Sequence, residues 1–237
     1  MKKLLERLPK DLLDLVYLAR DAAEERGYNA YLVGGFVRDL LLGVKNFDLD
    51  FVIEQDGIVV AEIMAQRLKA KLVRHHRFGT AALIRGQHHH KIDIATARKE
   101  QYLCPASLPQ VSPGTLKDDL FRRDFTINAL AVAVNGHSFG TLIDYYGGRN
   151  DLRDRKIRIL HEESFIDDPT RILRGIRFEQ RFDFTIEPGT RRRLRDAVRR
   201  GMLEQVQPQR LRDDLILMFK EACPLKEIRR IDRKSGV

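Results

Sequence analysis

The chain has 237 residues, enough for one large domain or two modest ones, and its 43% hydrophobic content supports a substantial core. No run approaches the roughly eighteen apolar residues of a membrane span. A net charge of +9 favours phosphate-bearing partners, although a solvated helix face could hold the same charge.

The opening "MKKLLERLPKDLLDLVYLAR" starts with two lysines, as a signal peptide does. Glu6, Arg7, Lys10, Asp11 and Asp14 interrupt any apolar core, so the segment predicts an amphipathic helix ending near Gly27. "NAYLVGG" predicts a short apolar strand that runs into Gly34 and Gly35, and "FVRDLLLG" a helix closed by Gly43. In the next strand, "FDLDFVIE", alternation sends Leu49, Phe51 and Ile53 to one face and Asp48, Asp50 and Val52 to the other. Neighbouring carboxylates repel and lose hydration. They require a positive charge between them, unless the strand is an exposed edge.

"IVVAEIMAQRLKA" has helical periodicity, and "KLVRHHRFGTAALIR" and "HHHKIDIATA" read as strands joined by a turn at Gly86. The second of these carries Asp93. The histidine clusters at 75–76 and 88–90 read as solvated rather than metal-binding. "CPASLPQVSPG" predicts a loop. Cys104 and Cys223 form no C-x-x-C pattern, which suggests a reducing, cytoplasmic setting without a disulfide and disfavours zinc.

From Lys117 to Val134 the pattern is helical and contains "RRDFTINALA". On such a helix Asn128 shares a face with Asp124; an ion pair of Asp124 with Arg122 and Arg123 is the simpler reading. Asn135 and Gly136 turn the chain into the extended "SFGTLIDYYGG", where Tyr145 and Tyr146 serve either core packing or a stacking surface. Beyond Asp151 long arginine-rich helices dominate, with stops expected at Pro188-Gly189 and Pro208. "RRRLRDAVRR" alone holds six arginines. The expected division is a mixed first domain over 1–150 and a helical second one over 151–237.

The chemistry concentrates first in "GGFVRDLLLGVKNFDLD". Backbone amides at Gly34 and Gly35 open a helix and can approach a phosphate, and Arg38 adds a charged donor. Asp48 and Asp50 follow on the neighbouring strand. A phosphate cradle beside two carboxylates suits Mg2+ bound to a nucleoside triphosphate.

Five segments in order, "GGFVRDLLLG…DLD", "RRDFTINALA", "DYYGGRNDL", "DDPTRILRGIRF" and "QPQRLRDDL", resemble the motifs of one family. It is the tRNA nucleotidyltransferase / poly(A) polymerase family of polymerase-β-type nucleotidyltransferases, and the likeness spans roughly Tyr31 to Leu215. The resemblance implies an α+β fold, with a polymerase-β-like head (mixed sheet, flanking helices) followed by an all-helical neck. It implies that Asp48 and Asp50 hold two catalytic Mg2+ ions, with Asp93 as a third carboxylate. Gly35 and Arg38 would contact the triphosphate, and Arg123 and Asp124 the ribose, supported by Asn128.

Asp168 and Arg171 would select the base. Cytosine and adenine each present an exocyclic amine beside a ring-nitrogen acceptor, which suits an aspartate and an arginine. Guanine and uracil present the reverse and leave buried groups unpaired. Arg174 and Arg177 continue the same face toward the phosphates or the base edge. Asp168 before Pro169 is equally a natural N-cap.

The activity implied is attack of an RNA 3′-hydroxyl on the α-phosphorus of CTP or ATP, releasing pyrophosphate. The implied partners are ATP or CTP and the 3′ end and acceptor stem of tRNA, with no membrane. A poly(A) polymerase is the nearer alternative. A non-catalytic nucleotide- or RNA-binding module is the more distant one, because both metal carboxylates are present. Family members usually carry further helical domains.

Overall fold

The computed structural model describes residues 2–45, 48–84 and 91–232, and packing divides it into two compact units. Unit 1 comprises 1–99, 111–123 and 128–148; unit 2 comprises 100–110, 124–127 and 149–237. Among the described residues no helix is long and apolar enough to cross a membrane.

In unit 1 the N-terminal stretch forms two helices, α1 (Lys2–Leu5) and α2 (Lys10–Glu24), because Pro9 starts the second rather than continuing the first. β1 (Ala30–Val33) runs into α3 (Gly34–Leu42), which ends on Gly43 in the left-handed conformation, φ 70°. β2 (Leu49–Ile53) and α4 (Gly57–Leu68) follow, the latter capped by the Asp56 side chain. The segment expected as one strand over 71–85 is a hairpin, β3 (Lys71–His75) and β4 (Thr80–Ile84). A 3₁₀ turn at His76–Phe78 and Gly79, φ 59°, reverses the chain there. Gly86 and His88–His90 lie outside the described residues.

β5 (Ile92–Thr96) completes the βαβ-like core. β6 (Arg98–Gln101) then pairs with β7 (Gln110–Pro113), so the end of the expected loop is a strand. The helix expected over 117–134 stops early: α5 (Leu116–Phe121) gives way to a 3₁₀ turn at Thr126–Asn128 and then β8 (Ala131–Ala133). β8 is fully buried in the sheet, and a short apolar run cannot be told from a buried helix by periodicity. β9 (Leu142–Ile143) is the last strand of the sheet.

The seven strands run in the order β3-β4-β5-β2-β1-β8-β9. The β2–β5 pair is parallel and the remaining pairs are antiparallel. β2 is therefore interior, which removes the exposed-edge reading for Asp50, whereas Asp48 precedes the strand and is exposed. Leu49, Phe51 and Ile53 are buried on one face together with Ile92 and Ile94 of β5. α4 packs on β3, β4 and β5, and α2 packs on α4.

Unit 2 is mainly helical: α6 (Gly148–Arg153), α7 (Ser164–Asp167), α8 (Thr170–Phe182), α9 (Pro188–Arg199), α10 (Pro208–Phe219) and α11 (Pro224–Asp232). β10 (Lys156–Ile157) and β11 (Thr185–Ile186) make a short parallel pair. α8 is the central element, with α7, α10 and α11 packed around it. Gly175 in α8 lets the Phe125 ring approach: an added Cβ would lie 3.2 Å from its edge. Pro188 and Pro208 begin α9 and α10 rather than ending helices, since proline at the first helical turn gives up an amide that has no partner there anyway.

Candidate active site

The parallel register of β2 and β5 sets Asp50 directly opposite Asp93. Both carboxylates line a cleft of about 530 Å3 with Val33, Lys91, Arg123 and His75. Asp48, just before β2, is exposed. Burial is the main cause that lifts the Asp50 carboxyl from 3.8 to about 6, with Arg123 opposing and Asp93 and Asp48 adding repulsion.

The positive charge anticipated between these acids is supplied in part by Lys91. Its Nζ lies 2.6 Å from Asp93 Oδ2, and the hydrogen bond to Asp93 raises the ammonium pKa. Lys91 went unnoticed in the sequence, although it sits two residues before Asp93 and so shares its face. Among the described residues no group of three or more His, Cys, Asp or Glu side chains forms a metal cage. Magnesium needs none: it is commonly held by one or two carboxylates together with substrate phosphates and water. A half-buried, proton-hungry Asp50 beside Asp93 fits that donor set.

Arg123 is the second cation of the cleft. Its Nη2 bonds Asp119 Oδ2 at 2.9 Å, and its Nη1 would lie 2.7 Å from a Cβ on Gly34. Gly34, at φ 66°, therefore has both a backbone and a packing reason to lack a side chain. Asp119 is fully buried and also receives Arg122 through Oδ1 at 2.6 Å. Opposing the desolvation that would raise it, these two arginines hold its carboxyl below the usual range. The expected pairing of Asp124 with Arg122 and Arg123 is thus replaced by pairing to Asp119, which the i+3 and i+4 spacing from that residue could have revealed.

Arg38 is buried. Its Nε bonds Asp39 at 2.8 Å and its Nη1 bonds Asn128 Oδ1 at 2.6 Å. Asn128 therefore holds Arg38. It does not share a helical face with Asp124, because the helix ends at Phe121. The Gly34 amide donates to the Leu130 carbonyl at 3.3 Å. Gly35 follows it on the first turn of α3, and its Cβ position would lie 3.5 Å from Arg38 Nη2.

The helical unit holds a separate cluster. Arg174 donates from Nε and Nη2 to Asp124 Oδ2, at 2.9 and 2.6 Å. Asp168 Oδ1 accepts from the Thr170 amide and hydroxyl and from Arg210 Nη2, at 3.1, 2.7 and 2.7 Å. Asp168 lies between α7 and α8, whose N-cap is Pro169, so it meets the first amide of α8 from outside the helix rather than riding on its face. Arg171 is buried and donates from Nη1 to Ser164 Oγ at 2.7 Å. Tyr102 lies within electrostatic range of both Asp168 and Arg171.

Arg177 is buried near Glu221, 3.8 Å away, and its guanidinium is pulled down by burial and by Arg174. Asp214 is raised by burial against the pull of Arg174 and Arg177. Sequence reasoning quoted the segment containing Arg210 and Asp214 but assigned neither a role. Helix α10 brings them to α8 only through tertiary packing.

A family model described as "Poly A polymerase head domain" matches residues 30–158. The A-adding tRNA nucleotidyltransferase of Geobacter sulfurreducens is 44% identical over 94% of this chain, which spans 25% of that relative. A CCA-adding enzyme solved in an apo form superposes with a TM-score of 0.90 at 51% identity, covering 97% of this chain and 54% of that one. A CCA-adding enzyme in complex with ATP gives a TM-score of 0.87 at 47% identity, covering 97% of this chain and 53% of that one. The chain thus spans about half the length of these solved structures and a quarter of the curated relative. With a mixed-sheet head and a helical neck, this chain belongs to the poly A polymerase head domain family, whose relatives include tRNA nucleotidyltransferases.

Proposed function

We propose that the chain is the nucleotide-transferring part of an enzyme that adds C, A or both from CTP or ATP to the 3′ end of tRNA. The observation that carries this reading is Asp50 opposite Asp93 across the β2–β5 register, with Arg123 and Gly34 at the same cleft. Asp48, Asp50 and Asp93 would hold Mg2+ there, which would supply Lewis acidity toward the 3′-hydroxyl and positive charge for the pyrophosphate.

The protein's own groups do the positioning. Gly35 at the start of α3 offers its amide to a phosphate, and Arg38, fixed by Asp39 and Asn128, directs charge toward that turn. Arg123, held by Asp119, balances the triphosphate side of Asp50. In the helical unit the Asp168 carboxylate, positioned by Arg210, accepts the exocyclic amine of C or A, and Arg171, held by Ser164, donates to the ring nitrogen. Asp124 and Arg174 act as a pair at the ribose, and Arg177 adds positive charge for the phosphates. Work on tRNA agrees with a cytoplasmic setting. Poly(A) addition is the alternative, and the same pocket serves it.

The test uses radiolabelled CTP and ATP separately on tRNA lacking its last three, two or one nucleotides. Asp50→Asn is expected to lower incorporation by at least about 10³-fold with an unchanged circular dichroism spectrum. Retained incorporation sinks the metal role. Extension past a completed CCA end by many adenylates selects the poly(A) alternative.

A further inference from the structure

The tyrosine pair at 145–146 is left unused by the chemistry above. Tyr146 is anchored: its hydroxyl donates to the Lys117 carbonyl at 3.0 Å, and its ring lies 5.7 Å from Phe121 and 6.3 Å from Tyr145. The two rings on either side of it are exposed, Tyr145 at 51% and Phe121 at 45%. The Lys117 ammonium lies 6.0 Å from the Tyr145 centroid. Three neighbouring rings in one unit, two of them open to water beside an exposed lysine, form a platform rather than a core.

Its position follows from strand register. Paired residues of neighbouring strands share a face, so Tyr31 of β1, opposite Val52, is on the face of Asp50 and Asp93. The Tyr31 hydroxyl and the Leu116 amide both donate to Glu54, at 3.2 and 2.9 Å, which sets the start of α5, next to Lys117, against the Glu54 end of that face. The nearby acids are engaged, Asp118 by Thr115 and Lys99 and Glu54 by Tyr31, Asn29 and the Leu116 amide, while Lys117 stands exposed beside the rings.

We propose that Phe121, Tyr145 and Tyr146, with Lys117, form a stacking platform for unpaired bases of the RNA strand whose 3′ end is extended. Aromatic faces beside a cation suit single-stranded nucleic acid, because each base offers a π-face and each nucleotide a phosphate. The chain's +9 charge favours this partner over an apolar protein surface. The proposal rests on the RNA-extending function proposed above.

The experiment measures binding of the full chain to two probes by fluorescence anisotropy: a 5′-labelled single-stranded RNA ending in CC, and a blunt RNA hairpin of equal length. Tyr145→Ala is expected to weaken single-strand binding about tenfold and to leave hairpin binding within twofold. Tyr145→Trp is expected to restore it, since a ring and not a hydroxyl is needed. In steady-state assays the KM for RNA rises while the KM for ATP stays constant. Unchanged single-strand affinity, an equal loss on both probes, or failure of the tryptophan to rescue would overturn the platform. Phe121→Ala adds a second reading, but Tyr145, being the more exposed ring, decides if that variant fails to fold. Wild-type incorporation reports the underlying function separately. Incorporation with no effect at Tyr145 rejects the platform alone, and Tyr145-dependent RNA binding without incorporation rejects the transferase reading alone.

Discussion

The Asp50 carboxyl holds its proton up to about pH 6 in the folded chain, against 3.8 when exposed to water. Between those values the folded state binds more protons than the unfolded state, so stability falls as pH rises through this window. Above about pH 6 the ionised carboxylate costs at most about 3 kcal/mol. Asp50→Asn is therefore expected to be more stable than wild type at pH 7.5 without divalent cations. The gap should close as pH falls toward 4, which urea denaturation of both proteins at each pH will show. Under the proposed role, activity is expected to run the other way, because a carboxylate must be ionised to hold a metal. Other residues show how pairing moves in tertiary context. Asp124, expected beside its sequence neighbours, pairs with Arg174 fifty positions away, and Asp119 takes both arginines.

At the scale of elements, α4 and β5 are joined by a close backbone approach at Gly57. A Cβ there would lie 2.7 Å from the Ala95 carbonyl carbon and 2.8 Å from the Thr96 amide nitrogen, neither of which can swing aside. Gly57→Ala is expected to cost about 1–3 kcal/mol, read as a lower denaturant midpoint. Because β5 carries Asp93, nucleotide incorporation should fall with it. α3, α4 and β2 were legible because each combines a periodic apolar pattern with a clear stop or cap. The run over 117–134 was not, because its alanines and valines suit a buried strand as well as a helix, and only the vacancy beside β1 decides between them. The 71–85 hairpin was hidden for a related reason: Gly79 reverses the chain without a proline or an Asn-Gly pair to mark it.

For the whole molecule, the net charge of +9 bears on the proposed RNA partner. In α9, Arg193 pairs with Glu162, Arg199 with Asp196, and Arg191 approaches Glu179 at 3.9 Å. Arg192 and Arg195, one turn apart and both exposed, face no acidic partner among the described residues. Reversing both, Arg192→Glu with Arg195→Glu, is expected to raise the KM for tRNA several-fold without changing that for ATP. It should also flatten the salt dependence of RNA binding by about one to two charges, measured as log Kd against log salt. By itself the sequence determined the family, through its ordered motifs, and it marked the carboxylates and the paired glycines opening a helix from which the function is proposed. Those depend on residue type and short spacing, which local geometry preserves. Only the tertiary structure decided which charges meet. Asp93 becomes the cross-strand neighbour of Asp50, Lys91 bonds Asp93, Arg210 reaches Asp168, and Tyr145 stays in water. Each of these contacts depends on strand register or helix packing, and no local pattern encodes how distant segments align.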